Sequence, residues 1–506
     1  MHRSFVVMYA ASMFVVAAPC RASAGDTIYA DGFEFHDFPI DPIIDGGAPA
    51  DAPALFGVAD APGGGPCLAD PQIGTLFPNN WMRPRFTWVP SGSENLFELR
   101  VTAPNQGHAL LVYTTASSWT MPANVWAALT QHTVDRAITL TVRGATYSGG
   151  TLTSGPEVGS SGAVRIAPVA APGAIVYWTF TGAENLLRGF RIGDENLEDI
   201  IRPADAGASC VGCHTATPDG TYVGFSAGEG GGAGLGLLSA DGQHLAPPFI
   251  SPSAQALMAR PDQDAPAFSA QHWSPGDRIA LTMYQSNIIW TDLEASSTAQ
   301  GAGWGILARS GESTHAASAS FAHTSDTVLY VSTPDPVTLG VTVTNGDIRV
   351  VPYNNRAGGT PNTIVATQDN EYYPAFSPDD HYVAYDRVPG GTSSYNNAQA
   401  EVWVAPGAGG QPVRIAANDP SSCTGQASPG VTNSWPRWAP ATSDDGGRRF
   451  YWLTFSSTRS GTRQIYVAPV VDTGGTLTTY PALYPWNQAA DDDGHTPAWG
   501  DFAIPF

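Results

Sequence analysis

The chain has 506 residues, a formal net charge of −22 and only 13% charged residues. A chain of this length can form a large core and usually holds two domains, and its acidic balance excludes the basic patches that bind nucleic acid. Glycine (55) and proline (42) are abundant, which favours short strands joined by turns over long helices. We therefore expect an all-β protein with no nucleic-acid partner.

The N-terminus has the pattern of a secretory signal. His2 and Arg3 precede an apolar run from Phe5 to Ala18, and Ala22-Ser23-Ala24 supplies a cleavage site of small residues. The apolar run is too short to span a bilayer. We therefore predict a signal peptide over 1–24, a periplasmic or secreted monomer, and no transmembrane segment after cleavage.

Residues 25–65 are expected to form a flexible linker. The part from Asp45 to Gly65 is dense in Gly, Ala, Pro and Asp and has no apolar period. Such a composition cannot bury enough apolar surface to fold by itself. We therefore expect this stretch to be mostly irregular or disordered.

The segment 66–170 has the pattern of a β-sandwich. Its predicted strands are Arg85–Trp88, Leu96–Val101, Leu110–Tyr113 and Ile138–Val142, with a short helix over Asn124–His132. Their spacing is similar to that of an immunoglobulin or fibronectin-like module. Three tryptophans are expected to pack in the core rather than to bind sugar: Trp88, Trp119 and Trp126.

The remainder of the chain repeats one pattern. An aromatic residue, a turn and a short apolar strand recur at Trp273-Ser274-Pro275-Gly276-Asp277, at Phe376-Ser377-Pro378-Asp379, and more weakly at Phe321 and Trp438. This pattern resembles the TolB-like, WD-type repeat of β-propellers. The resemblance implies a six-bladed propeller over 174–506, closed by pairing of the last strand at Pro497-Ala498-Trp499 with Ile175–Trp178.

The haem c attachment pattern Cys-x-x-Cys-His occurs once, as Cys210-Val211-Gly212-Cys213-His214. Two thiols at this spacing can add to the vinyl groups of one haem, and the histidine that follows then reaches the iron. We expect one covalent haem c held by Cys210, Cys213 and His214. The alternatives are a Cys210–Cys213 disulfide and, less well supported because no second ligand pair exists, a zinc site.

Two histidines are candidates for the sixth iron ligand. Turn-based alignment of the repeats places His272 and His495 on innermost strands of the two blades that flank the haem blade, near the level of His214. Met258 and Met283 are softer alternatives that would raise the reduction potential. The iron could also be five-coordinate, and either histidine could instead be a hydrogen-bonded structural residue.

Two further cysteines are left once the haem motif is assigned. Cys67 and Cys423 could pair in an oxidising compartment, although they belong to different predicted domains. Whether they pair is left open by the sequence.

Two classes of function follow from these features. The first is an exported single-haem electron-transfer or redox-sensing protein with an unidentified redox or protein partner, and the second is a haem-free, TolB-like binding scaffold. Haem-dependent oxidation of a small molecule is a third possibility. No nucleophile elbow, phosphate-binding loop or Rossmann fingerprint occurs, so no catalytic residue is assigned and enzymatic activity is left open.

Overall fold

The computed structural model describes residues 38–57, 63–228, 232–261, 263–337 and 342–505. The predicted signal peptide and residues 25–37 of the predicted linker lie outside this part. The described chain is all-β, as expected, with four short α-helices: α1 (Ala52–Phe56), α2 (Ala123–His132), α3 (Pro203–Ala206) and α4 (Pro252–Met258). None of the described helices combines the length and the hydropathy needed to cross a membrane.

The N-terminal region forms two sheets that share one apolar core. Its strands are β1 (Ile43–Ile44), β2 (Cys67–Asp70), β3 (Leu76–Phe77), β4 (Arg85–Val89), β5 (Leu96–Thr102), β6 (Leu110–Thr114), β7 (Ser118–Thr120), β8 (Ile138–Ser148) and β9 (Thr151–Ile166). One sheet has the order β1-β6-β5-β8-β9-β3 and the other β2-β4-β7. The four predicted strands correspond to β4, β5, β6 and β8, the predicted helix to α2, and all three tryptophans are buried.

Most of residues 38–57 of the predicted linker is irregular, but this stretch also contains the short β1 and α1. Ile43 and Ile44 pair in parallel with Val112 and Tyr113 of β6. Phe56 of α1 is buried and packs edge-on against Tyr113, with ring centroids 5.4 Å apart. These apolar residues are ordered because they pair with the edge of an existing sheet and pack against its core, and such tertiary contacts outweigh a weak local propensity.

The described residues of the C-terminal region form 27 further strands. They are β10 (Ala174–Phe180), β11 (Asn185–Arg191), β12 (Glu198–Ile201), β13 (Val211–Ala216), β14 (Tyr222–Ala227), β15 (Gly234–Ser239), β16 (Asp264–Ala267), β17 (Trp273–Ser274), β18 (Asp277–Tyr284), β19 (Asn287–Asp292), β20 (Trp304–Ile306), β21 (Ala308–Arg309), β22 (His315–Phe321), β23 (Thr327–Thr333), β24 (Asp347–Pro352), β25 (Gly358–Gly359), β26 (Asn362–Val365), β27 (Asn370–Phe376), β28 (Tyr382–Val388), β29 (Glu401–Pro406), β30 (Val413–Arg414), β31 (Asn433–Trp438), β32 (Ser443–Asp445), β33 (Arg448–Ser457), β34 (Gln464–Thr473), β35 (Thr476–Thr479) and β36 (Asp493–Gly500). Apart from the short β21–β25 pair, they form six antiparallel sheets.

The six sheets follow one another along the chain, and the last strand completes the first sheet. Sheet 1 has the order β12-β11-β10-β36, sheet 2 is β13-β14-β15, sheet 3 contains β16 to β20, sheet 4 is β22-β23-β24-β26, sheet 5 runs from β27 to β30, and sheet 6 contains β31 to β35. Ile175 of β10 pairs with Trp499 of β36, which confirms the predicted pairing of the two ends. This pairing covers an edge that would otherwise be open.

One strand of each sheet lies at the centre of the region. These six inner strands are β36, β13, β16, β22, β27 and β31. Each lies beside the inner strand of the next sheet, and β31 lies beside β36, so their contacts form a closed cycle. The cycle brings residues that are far apart in sequence around one central space.

The inner strand of sheet 3 differs from the one that the repeat alignment predicts. Asp264–Ala267 forms it, whereas Trp273 and Ser274 form the short β17 in a hairpin with β18. The Ser-Pro-Gly-Asp turn forms a hairpin as expected, but it joins β17, and not the inner strand β16, to the N-terminal end of β18. His272 therefore lies in a 3-10 helix, Ala270–His272, and not on an inner strand.

Each inner strand carries a bulge at the same depth. Five of them have a residue with positive φ there: Ala265, Ser318, Tyr373, Trp435 and Thr496. Proline follows in four of the five cases, as Pro266, Pro374, Pro436 and Pro497, because an interrupted ladder tolerates a residue without an N–H group. In β13 the bulge lies between Gly212 and His214, so His214 stands where most sheets have proline.

A disulfide joins the two regions. It links Cys67 of β2 to Cys423 between β30 and β31, with the Cα atoms 5.4 Å apart, so the pairing that the sequence left open is present. Arg83 also forms an ion pair with Glu195 across the same boundary. The described residues accordingly form one compact unit with a shared apolar core.

Candidate functional site: a central cavity

The inner strands surround a cavity of about 150 Å³. All six sheets contribute to its wall, which is built largely from the residues at and just after the bulges. An engineered apolar cavity of roughly 150 Å³ is large enough to bind benzene. The central cavity is therefore of a size that accepts a small organic molecule.

Five aromatic side chains form one level of the wall, and we call them the aromatic collar: Phe268, Phe321, Phe376, Trp438 and Trp499. The indole N–H groups of the two tryptophans are already used, because Trp438 Nε1 donates to the Ala375 carbonyl (3.0 Å) and Trp499 Nε1 to the Pro172 carbonyl (2.7 Å). Sheet 2 has the small Ala216 at the equivalent position. The collar therefore supplies apolar surface and no free polar donor from its indoles.

The next level of the wall contains one charged residue among small ones. The residue before each collar position is Thr215, Ala267, Ser320, Ala375, Ala498 or Arg437, and all six line the cavity. Arg437 Nη1 donates to the Pro436 carbonyl (2.8 Å) and the guanidinium lies 5.9 Å from the Trp435 ring centroid. Within the described residues no carboxylate lies within ion-pair distance of Arg437. Burial lowers the pKa of this arginine, but a guanidinium stays charged in proteins.

The buried acids near the cavity are engaged elsewhere. Asp386 Oδ2 accepts hydrogen bonds from Ser434 Oγ (2.6 Å) and from the Trp435 backbone N–H (3.0 Å). Burial raises the pKa of Asp386 to about 8, so this carboxyl group is mostly neutral at pH 7. Asp264 accepts hydrogen bonds from Ser226 Oγ and the Ala265 N–H, and burial raises its pKa too. The charge on Arg437 thus lacks a close counter-ion.

Cys213 and His214 both line the cavity and both have protein partners. The Cys213 thiol hydrogen-bonds to Asp264, and burial raises its pKa well above the usual range. His214 Nε2 lies 2.9 Å from the Val176 carbonyl oxygen. A carbonyl only accepts, so Nε2 carries the hydrogen and Nδ1, which has no partner, is an acceptor. Burial lowers the pKa of His214 to about 4, so the ring is neutral.

Cys210 belongs to a different part of the surface. It precedes β13, and its carbonyl oxygen accepts a hydrogen bond from the Gly228 N–H (2.9 Å). Gly228 lines a second space, an apolar groove of about 520 Å³ beside β15 that Met258 also lines. Cys210 lines neither this groove nor the central cavity.

The two histidines considered as sixth ligands lie outside the cavity wall and have other partners. His272 Nδ1 lies 2.8 Å from Asp277 Oδ2 and its Nε2 lies 3.2 Å from Asp326 Oδ1. His495 is on the inner strand β36, as expected, where Nδ1 lies 2.9 Å from Ser456 Oγ. Burial lowers the pKa of His495 to about 3. The structure does not bring His272 into the cavity that His214 lines, and the sixth-ligand assignment stays a prediction.

This geometry indicates whether the three motif residues could hold one haem. Cys210, Cys213 and His214 at positions i, i+3 and i+4 would share one face of a helix, but Cys213 and His214 lie on a strand, where successive side chains alternate. The central cavity is also smaller than the roughly 300–1,000 Å³ of typical ligand pockets. Among the described residues, no group of three or more His, Cys, Asp or Glu side chains forms a metal site. In this conformation the three residues do not fit one haem.

The sequence analysis missed Arg437 and the inner position of Phe268. A signal for Phe268 was present, because Ala267-Phe268-Ser269 repeats the order of Ala375-Phe376-Ser377. Arg437 stood in a recognised repeat, between Pro436 and Trp438, and was the only charged residue at its position among the six sheets. Its place in the cavity wall depends on how the six inner strands come together, which the sequence of a single repeat does not show.

Comparisons with known proteins assign neither a family nor a function to the chain. No protein-family model and no curated protein matches the chain. A solved structure that is similar is that of a hypothetical selenium-binding protein from Sulfolobus tokodaii, with 9% identity, a TM-score of 0.32, and coverage of 80% of this chain and 93% of that one. A TM-score of this size carries no argument about fold or function.

Proposed function

We propose that the chain is an exported, monomeric binding protein that carries no haem and holds a small molecule in the central cavity. In this proposal the six sheets are the blades of a TolB-like propeller, and the N-terminal sheets are an immunoglobulin-like sandwich. The observation that carries the proposal is the cavity itself, with its aromatic collar and an arginine that has no carboxylate partner among the described residues.

Three features support the propeller. Six antiparallel sheets follow in sequence, the inner strands contact one another in a closed cycle, and β36 closes the first sheet against β10. Blades that bury their faces against neighbours give a rigid central wall. Such a wall suits a preformed ligand site, because little conformational entropy is lost when the ligand binds.

Two features support binding without haem. The thiol of Cys213 is hydrogen-bonded to Asp264 and Nε2 of His214 to the Val176 carbonyl, so neither of these two atoms is available to a haem in this conformation, although Nδ1 of His214 is not engaged by the described residues. Cys210 does not line the cavity that Cys213 and His214 line. Haem attachment would therefore require β13 to leave the sheet in which it pairs with β14.

The experiment has two parts. The protein is first exported from bacteria that mature haem c, and mass spectrometry is expected to give the unmodified mass. Benzamide, a neutral molecule of the size that the cavity accepts, is then titrated by calorimetry into the wild-type protein and into Ser320→Leu, which fills the cavity. Ser148→Leu, at an exposed position, is the matched control.

The expected result is that benzamide binds the wild type and the Ser148→Leu control equally, and binds Ser320→Leu at least tenfold more weakly. A mass increased by one haem would contradict the proposal. So would the absence of benzamide binding to the wild type, or equal binding to Ser320→Leu when its far-ultraviolet circular dichroism matches that of the wild type.

A single-haem electron-transfer protein is the second candidate function. It is favoured by the Cys-x-x-Cys-His sequence and by the groove of about 520 Å³ beside Cys210, whose lining includes Met258, a residue type that can bind haem iron. A pyridine haemochrome spectrum of the exported protein that disappears in a Cys210→Ala, Cys213→Ala double variant would establish this function in place of the first.

A further inference from the structure

We infer that Arg437 binds the carboxylate of a small organic monoacid whose apolar body packs against the aromatic collar. This inference rests on the proposed function and specifies its ligand class. It follows from the charge of the cavity, from its shape around the guanidinium, and from the apolar surface above it.

The first step concerns charge. Some partly buried arginines of the same region have carboxylate partners: Arg188 pairs with Asp199 at 2.7 Å and Arg414 with Glu401 at 2.8 Å. The buried Arg459 has none among the described residues, but its guanidinium donates to the Ala417 carbonyl and to Asn433 Oδ1. Arg437 is also partly buried and has no carboxylate partner among the described residues. A buried cation without a counter-ion is unfavourable because desolvation is not compensated. An anion in the cavity would supply the missing compensation.

The second step excludes an internal counter-ion. Asp386 is the acid with the largest electrostatic effect on Arg437, but its Oδ2 accepts from Ser434 and Trp435. Burial raises its pKa to about 8 despite the arginine. At neutral pH this carboxyl group is therefore mostly protonated and leaves the guanidinium uncompensated.

The third step concerns the space around the guanidinium. The other five residues at its level are small: Thr215, Ala267, Ser320, Ala375 and Ala498. A planar guanidinium donates in a fixed fork that matches the two oxygens of a carboxylate. Among the described residues the guanidinium donates one hydrogen bond, from Nη1 to the Pro436 carbonyl, so its other N–H groups are left for a ligand.

The fourth step separates an organic acid from an inorganic oxyanion. Five aromatic collar residues lie one residue further along their strands and line the same cavity. The ring of Trp435 is held by stacking on Tyr373, with centroids 3.8 Å apart. Phosphate would leave this apolar surface unused and would bring a second negative charge against a single cation. A monocarboxylate with a small apolar or aromatic body matches both the single positive charge and the apolar surface of the cavity.

The test is calorimetric titration of the full-length exported protein with benzoate, benzamide and inorganic phosphate. Arg437→Met removes the charge and keeps much of the side-chain volume. Arg136→Met, the same change at an exposed position of the N-terminal region, is the control. Benzoate is expected to bind the wild type and Arg136→Met with one dissociation constant and Arg437→Met at least tenfold more weakly, while benzamide binding changes less than threefold.

Arg437→Lys is the second variant, in case Arg437→Met does not fold. It keeps the charge but loses the fork, so we expect benzoate affinity between those of the wild type and Arg437→Met.

Each other outcome is decisive. If benzoate and benzamide bind the wild type equally and Arg437→Met binds both unchanged, the carboxylate inference is overturned while the proposed binding function stands. If phosphate binds and benzoate does not, the site is for an inorganic anion and the inference is overturned. If none of the three compounds binds the wild type, both the carboxylate inference and the proposed binding function are overturned.

Discussion

Two arginines, the buried Arg143 and the partly buried Arg437, show how differently the two regions of the molecule treat charge. In the N-terminal sheets, Arg143 of β8 donates from Nε to Glu98 of β5 at 3.0 Å and from Nη2 to the same carboxylate, and Tyr113 donates to Glu98 at 2.8 Å. The side chains of this pair are 1% and 0% exposed. Arg437 of the central cavity has no carboxylate partner among the described residues.

The difference separates a structural charge from one that is available to a ligand. Arg143 and Glu98 compensate each other inside a fully packed core, so neither is free to bind anything else. Arg437 lies beside a space of about 150 Å³. Burial alone therefore does not distinguish a structural group from a functional one, but the combination of burial, missing partner and adjacent space does.

The largest expected effect is that of Arg143→Met. It leaves the buried Glu98 with Arg100, whose Nη2 lies 3.1 Å away, as its one cationic partner among the described residues. Loss of one member of a buried pair costs roughly 3 kcal/mol or more. We expect the free energy of unfolding in urea to fall by about that amount, with Arg136→Met unchanged. A loss no larger than that of the control would show that Arg143 and Arg437 are equivalent.

The double variant Arg143→Met, Glu98→Gln sharpens the same comparison. No charge is then left buried, and the amide oxygen introduced by the second substitution can still accept from the Tyr113 hydroxyl. Since replacement of both members of a buried pair is often nearly neutral, we expect recovery of about 2 kcal/mol of the loss. Urea unfolding of the single and double variants measures this recovery, and its absence would mean that packing rather than charge makes Arg143 important.

The pH dependence of stability tests whether Asp386 compensates Arg437. Its pKa is raised from 3.8 to about 8 in the folded protein, so between these values the unfolded chain releases a proton that the folded chain keeps. Stability therefore falls as pH rises through this window and levels off above about pH 8. Asp386→Asn removes this contribution.

We expect the loss of unfolding free energy between pH 5 and 8.5 to be smaller in Asp386→Asn than in the wild type, by on the order of 2 kcal/mol. Asp70, whose pKa burial also raises to about 8, keeps its own contribution in the variant. If the two pH profiles coincide, Asp386 is already ionised and compensates Arg437 as Glu98 compensates Arg143.

The smallest effect is expected for the stability of Arg437→Met. Removing a partly buried cation that has no carboxylate partner among the described residues relieves a desolvation cost, so the unfolding free energy should change by less than about 1 kcal/mol or increase. Thermal and urea unfolding measure this. Destabilisation as large as that of Arg143→Met would identify Arg437 as a structural residue and remove the contrast between the two regions.

The haem motif shows that one stretch of sequence can satisfy two patterns at once. Cys210, Cys213 and His214 satisfy a spacing rule, but the rule assumes a backbone that turns the three side chains to one side. The same residues also satisfy the repeat pattern, since Thr217-Pro218-Asp219-Gly220 forms the turn that follows an inner strand. Because β13 pairs with β14, this stretch forms an inner strand and not a turn that brings the three side chains to one side.

His272 was misplaced for a related reason. The Trp273-to-Asp277 turn forms a hairpin wherever it occurs, because proline, glycine and aspartate fix its local dihedral angles. Nothing local says whether the strand before that turn is the inner strand of its sheet. Packing of Asp264–Ala267 against the neighbouring inner strands decided it.

The sequence by itself determined the all-β class, the strands β4, β5, β6 and β8, and the helix α2. These follow from alternation of apolar residues and from turn chemistry, which act over a few residues. The pairing of β36 with β10 was implied instead by the resemblance to a propeller repeat, and it is present in the structure. The tertiary structure alone decided that Cys67 meets Cys423, that Phe268 rather than Trp273 lines the cavity, and that no carboxylate of the described residues approaches Arg437. The physical reason is that burial and electrostatic compensation depend on groups hundreds of residues apart, which only closure of the ring brings together.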